Sequence, residues 1–353
     1  MDFRFTEEQD MMAGVVRDLL TDLCQPQHLR ALMQAGQCFD ADRWAALVEM
    51  GLLGMLVPEA AGGLGLRAVD FIQIAEAAGY AALPEPLVEQ AGIVLPALAA
   101  LDSDLLAPVM SGAQTVALSH SANPFIQDGA GAAAVLVLSR QGAKIVPRED
   151  LDLTPQDSAD PFRRLFSLGA GADHTADRSA AQGDADLAAA LSDLAFERGA
   201  LFSAAELLGL ARRAVDLAAA YALERQQFGK PIGANQAVKH LLANAQVRIE
   251  FARPVLHAAA ASLEAGDLQA RARISHAKIA CIRAMELATQ TAVQVHGAMG
   301  YSWEVDVHLF LKRGIALTSA WGGIGLHLDR VAARAFAAPL GPDTTFAREV
   351  SHG

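Results

Sequence analysis

Tyr221-Ala-Leu-Glu-Arg225-Gln-Gln227-Phe228-Gly229-Lys230-Pro231-Ile232-Gly-Ala-Asn235-Gln236 is the stretch with the most chemistry in it. A helix ends near Gln227, a Gly/Pro turn follows, and a new helix starts near Asn235. Arg225 at that helix end is a rigid fork of donors suited to a phosphate. Gln227 and Gln236 offer amides to a second phosphate or to a nucleobase. The plainer reading is a helix–turn–helix corner with Arg225 paired to a surface carboxylate. A second stretch, Gln294-Val295-His296-Gly297-Ala298-Met299-Gly300-Tyr301, closes a long helical pattern. Gly297 and Gly300 permit a tight turn and close backbone approach to a ligand. A helix C-cap accounts for Gly297 equally well.

Other chemistries find little support. His240 and His296 belong to no HxxxH or HExxH pattern, so no metal site is expected. There is no GxSxG, no P-loop and no GxGxxG after a strand. Cys24, Cys38 and Cys281 form no CxxC pair and read as reduced, buried small hydrophobes. A net charge of −12 disfavours nucleic acid and anionic membrane as partners. The start, Met1-Asp-Phe-Arg-Phe5 with Glu7 and Glu8 behind it, lacks the basic and apolar runs of a secretory signal. No uncharged run suits a membrane span, and a cytoplasmic location is expected.

The elements that must position these residues follow from composition and periodicity. The 353 residues are 52% hydrophobic and 19% charged, which excludes a disordered chain and implies two or three packed regions. About a fifth are Ala, so much of the chain is expected to be helical. Thr6-Glu-Glu-Gln9 is a capping box that opens a first helix. A second helix is expected from an Asp40 N-cap to Met50, and further helices over Ala68–Ala78 and Leu87–Ala100. Thr115–Ser121, Ala132–Ser139 and Ala143–Val146 are β-type runs separated by turn formers, and Gln156–Asp160 and Gly169–Asp186 are rich in turn residues. From about Leu191 helical periodicity returns. One helix runs into Arg225, others span Gln236–Ala265 and Leu268–Val295, and a fourth is expected from Phe310 to Ala338. The expected α+β organisation is a helical domain over 1–111, a small β domain over 112–190 and a four-helix bundle over 191–353.

Taken together, the two segments resemble the acyl-CoA dehydrogenase family. The family pattern is a Tyr, Arg-x-x-Phe-Gly-Lys-x-Ile, Gln-Ala, and later Gln-x-x-Gly-x-x-Gly-Tyr. Here it reads Tyr221, Arg225 to Ile232, Gln236-Ala237 and Gln294 to Tyr301, and the match continues through Val305–Arg313. Pro58-Glu59 with Gly62-Gly-Leu-Gly65 resembles the family's N-terminal loop. The resemblance implies an α domain, a β-barrel and a helical bundle, with FAD and an acyl-CoA thioester. It implies α,β-dehydrogenation to the trans-2-enoyl-CoA, with electrons passed to an electron-transfer flavoprotein. By match, Arg225, Gln227, Phe228, Gln236 and Gln294, Val295, His296, Gly297 and Ala298 hold the pyrophosphate and adenine end of a neighbouring subunit's FAD.

Two departures matter. Most members carry a catalytic Glu after the Arg-rich helix, and the equivalent position here is Trp321 or Gly322, neither of which takes a proton. A minority place the base on the earlier helix, where the ungapped equivalent is Gly199. Glu197 lies two residues away, about 200° round a helix, and reads better as a solvated charge at a helix start. Glu206 reads as structural. The β domain also lacks the residues with which typical members hold the flavin ring, and Ser119-His120-Ser121-Ala122-Asn123-Pro124 stands in their place. Some bacterial members, including those that shorten steroid side chains, are heteromers in which one subunit brings the Glu and the other completes the FAD site. This chain resembles the second kind. The alternatives are a self-sufficient homo-oligomer with a relocated base, for which Glu197 is the first suspect, and a non-enzymatic acyl-CoA-binding relative.

Overall fold

The computed structural model describes residues 5–168 and 185–337. The capping box forms as expected: the Thr6 side chain accepts from the Gln9 amide and opens α1 (Glu7–Leu23). Next come α2 (Pro26–Gln34) and α3 (Ala41–Glu49), the latter capped by Asp40. After the Gly-rich loop, α4 (Ala68–Ala81) runs through the core. The helix expected over Leu87–Ala100 is divided into α5 (Leu87–Glu89), a π-helical turn (Gln90–Val94) and α6 (Leu95–Ala100). Pro96 is the cause, since it has no N–H for the Gly92 carbonyl. That freed carbonyl accepts from Arg198 Nη1 at 3.3 Å. The short α7 (Leu106–Met110) closes this part.

The expected β region contains the three anticipated strands and three more. They are β1 (Val116–His120), β2 (Ile126–Gln127), β3 (Ala134–Ser139), β4 (Gly142–Pro147), β5 (Leu153–Gln156) and β6 (Leu165–Leu168). They form two three-stranded sheets, ordered β1-β3-β4 and β2-β6-β5. β1 pairs parallel to β3 in the register Val116↔Ala134 to His120↔Leu138, and the other pairings are antiparallel. All six residues of β3 are buried. Leu136 and Leu138 join the main core, whereas Val135 and Val137 join a smaller one with Ile126, Leu153 and Phe166. Pleat alternation thus lets one strand seal two cores.

α8 runs from Ala185 to Glu224, so the helical part begins before the expected Leu191. At 1.5 Å per residue it is about 60 Å long. It crosses α4 at a pair of glycines: a Cβ at Gly79 would lie 2.1 Å from Glu206 O, and one at Gly209 would lie 2.0 Å from Glu76 O. A two-stranded turn, β7 (Gln226–Gln227) with β8 (Lys230–Pro231), leads into α9 (Gln236–Ser262). α10 (Leu268–His296) follows. The single helix expected from Phe310 to Ala338 is instead α11 (Val307–Ser319) and α12 (Ile324–Ala337). The break falls where Trp321 and Gly322 take φ of +59° and +94°, outside helical geometry. Among the described residues no helix is long and apolar enough to cross a membrane.

Candidate active site

The two motif segments meet at one end of the bundle. Tyr221, on the last turn of α8, stacks on His296 at the end of α10 with ring centroids 4.3 Å apart. His296 Nδ1 lies 2.7 Å from Ala292 O, and both His296 and Val295 are buried. Their side chains therefore join helices rather than face a ligand. Gln294, Gly297, Ala298, Arg225, Gln227 and Gln236 are exposed. Phe228 sits at the tip of the β7–β8 turn with φ +52° and 97% of its surface exposed. An aromatic ring held out on a strained turn makes no contact that would explain its position within this chain. No ion pair to Arg225 is present among the described residues, so the surface-carboxylate reading gains no support. The exposed donors, the open backbone at Gly229 and Gly297 and the projecting ring all face solvent.

Trp321 and Gly199 lie face to face. A Cβ on Gly199 would sit 2.1 Å from the Trp321 indole. Trp321 is held through both its backbone and its ring. Trp321 N donates to Asn123 Oδ1 at 2.7 Å, and its carbonyl lies 3.1 Å from His327 Nε2. The His120 ring packs 5.2 Å away, with Phe196 between His120 and His327. Burial, reinforced by the Lys278 cation, pushes the His327 pKa down to about 4, so the ring is neutral and donates to the Trp321 carbonyl. His120 Nε2 is 3.1 Å from Ser192 O, and Ala122 N donates to His120 Nδ1. His120, Ala122 and Asn123 are thus engaged in this chain's own contacts.

Glu197 is not a solvated charge at a helix start. It lies more than three turns into α8, is buried, and pairs with Arg330 and more distantly with Arg271 at 4.0 Å. Its side chain points away from the cavity that Gly199 lines, as the two-residue offset requires.

That cavity, of about 270 Å³, lies between α5, β2, α8 and the end of α11. Gly199, Phe202, Ser203 and Glu206 form its α8 wall at helical spacing. The rim carries exposed Pro124, Phe125 and Ser319. Glu206, which reads from sequence as structural, lines the cavity with Glu89, Arg163 and Arg313. Sequence reasoning missed this cluster because its members come from four separated segments. Burial pushes Glu89 up to about 8, against the pull of Arg163, and it raises Glu206 as well. Below the cavity Lys278 is fully buried and donates to Ser203 Oγ at 2.6 Å and to Leu317 O at 3.0 Å. Burial lowers its pKa to about 7. Among the described residues no cluster of metal-ligating side chains is present.

The profile of the acyl-CoA dehydrogenase N-terminal domain matches residues 6–102, and that of the C-terminal domain matches residues 187–336. The chain is 30% identical to acyl-CoA dehydrogenase IpdE2 of Mycolicibacterium smegmatis over 334 residues, covering 94% of this chain and all of the relative. The crystal structure of the ChsE4-ChsE5 complex from Mycobacterium tuberculosis contains a chain similar to this one, with a TM-score of 0.80 and 25% identity over 96% of this chain and 100% of that one. The Tcur3481-Tcur3483 steroid ACAD, as its G363A variant, gives a TM-score of 0.75 at 25% identity, covering 92% and 97%.

Proposed function

This chain belongs to the acyl-CoA dehydrogenase family, and from that premise we propose that it acts as the base-lacking subunit of a heteromeric, FAD-dependent acyl-CoA dehydrogenase. The observation that carries the reading is the Trp321 indole seated on Gly199. Neither position leaves room for a carboxylate, while the cradle for the far end of FAD is open. Two solved structures similar to this chain, the ChsE4-ChsE5 complex and the Tcur3481-Tcur3483 steroid ACAD, each carry two different protein names, which favours a two-subunit assembly.

In this reading Arg225 holds the pyrophosphate, and the exposed groups of Gln227, Phe228, Gln236, Gln294, Gly297 and Ala298 enclose the adenine end. When bound, FAD supplies the hydride acceptor for α,β-dehydrogenation of the acyl-CoA. The α-proton is removed by a carboxylate of the second subunit, and an electron-transfer flavoprotein takes the electrons. This chain fixes the cofactor's position and closes that end from water. Glu206 does not replace the missing base, because two helical turns separate it from Gly199, about 10 Å along α8.

The test is flavin content and substrate-dependent bleaching, measured with the chain alone and co-expressed with dehydrogenase-like chains of its genome. Flavin and bleaching only in the assembled sample are expected. Oxidation of an acyl-CoA by the lone chain at ordinary enzyme rates would overturn the reading and favour a self-sufficient enzyme.

A further inference from the structure

The cavity beneath Trp321 has no base at its mouth, yet its floor carries more recognition chemistry than a hydrocarbon tail requires. Arg313 is 7% exposed at its side chain. Its Nε pairs with Asp160 and its Nη1 donates to Leu83 O at 2.8 Å, but Nη2 is buried with no partner. Arg163 lines the same cavity, and its Nε donates to Gln127 Oε1 at 2.8 Å, with no hydrogen bond from its Nη atoms described. Glu89 and Glu206 line the cavity beside them, and no hydrogen bond from either carboxyl to the protein is described.

A buried donor without a partner is costly, so Arg313 Nη2, orphaned beside a cavity, marks a place for a ligand's polar end. Asp160 balances Arg313. Asp160 also lies within electrostatic reach of Arg163, and both guanidiniums act on Glu206, whereas Glu89, beside Arg163, is protonated near neutral pH and can donate. Guanidinium forks and a carboxylic acid proton converge on an acceptor, and a carboxylate accepts from both. The rim is apolar at Phe125 and Ile315 and suits a short methylene chain.

We propose that this cavity is a non-reacting binding site for a short aliphatic chain ending in a carboxylate, which Arg313 Nη2 and Arg163 grip at the floor. The chain can arrive as a free dicarboxylic acid or as the acyl part of a CoA thioester.

The test is calorimetric titration of the full-length purified chain with adipate, adipyl-CoA, hexanoyl-CoA and CoA. Binding is read without turnover, so the result is independent of flavin uptake or of any partner. Adipyl-CoA is expected to bind at least about tenfold more tightly than hexanoyl-CoA, the size of one charge-assisted hydrogen bond. Adipate binding as tightly as its thioester identifies a free acid as sufficient, whereas binding of the thioester alone identifies a CoA-borne chain. Arg163→Met is expected to erase the preference. Glu206→Gln, which removes a competing negative charge, is expected to tighten carboxylate binding, a gain that a damaged fold cannot produce. Equal binding of hexanoyl-CoA and adipyl-CoA, or no binding of either adipyl probe, overturns the proposal.

Discussion

Gly199 and Trp321 exclude each other's replacement by anything larger. Gly199→Ala would drive a Cβ to 2.1 Å from the indole, so the variant is expected to lose about 1–3 kcal/mol in urea unfolding. An unchanged midpoint would show that the ring moves freely and that a base could be admitted there. Lys278 makes a second prediction. Its folded pKa of about 7 lies below the ordinary value of 10.5, so the unfolded chain binds more protons between the two. Stability from this group therefore rises with pH from about 7 to about 10 and is lost as pH falls back through 7. Relative to Lys278→Met, the native chain should gain stability over that window. A difference that stays flat with pH would mean that the ammonium is hydrated. Neither residue's role was legible in the sequence. Trp321 was recognisable as a missing Glu, but its seat on Gly199 required two segments over a hundred residues apart to be placed together.

The helices α4 and α8 approach closely only because Gly79 and Gly209 carry no side chains. Gly209→Ala would put a Cβ against backbone atoms Glu76 O and Tyr80 N, neither of which can rotate away. The expected cost is again about 1–3 kcal/mol, read by chemical denaturation, and a smaller change would mean that the crossing tolerates a wider spacing. The long amphipathic helices were legible because apolar periodicity over many turns is a strong signal. So were Thr6 and Asp40 as caps. What failed was continuity: the π-turn before Pro96 and the stop at Trp321-Gly322 are local backbone events inside apolar runs. Strands β5 and β6 went unread because Leu153-Thr-Pro-Gln156 and Leu165-Phe-Ser-Leu168 are too short to show alternation and owe their form to each other.

At the scale of the whole molecule, the two motif segments lie exposed at one end of the bundle, while Trp321 packs on Gly199 at the cavity. Arg225-x-x-Phe228-Gly229 and Gln294-x-x-Gly297 were legible as motifs, and Tyr221 stacked on His296 brings them to one end of the bundle. The polar cavity floor was not legible, since Glu89, Arg163, Glu206 and Arg313 come from four separated segments. If Arg225 holds a phosphate, Arg225→Ala should weaken FAD retention by the assembled protein by about 10–100-fold, read as flavin lost on dilution. Retention equal to the native assembly would remove Arg225 from the site. The most direct measurement is the visible flavin spectrum of the purified protein during acyl-CoA addition, alone and with its dehydrogenase-like partner. The account predicts little flavin and no bleaching alone, and stoichiometric, bleachable flavin in the assembly. Stoichiometric flavin that bleaches in the lone chain would contradict it.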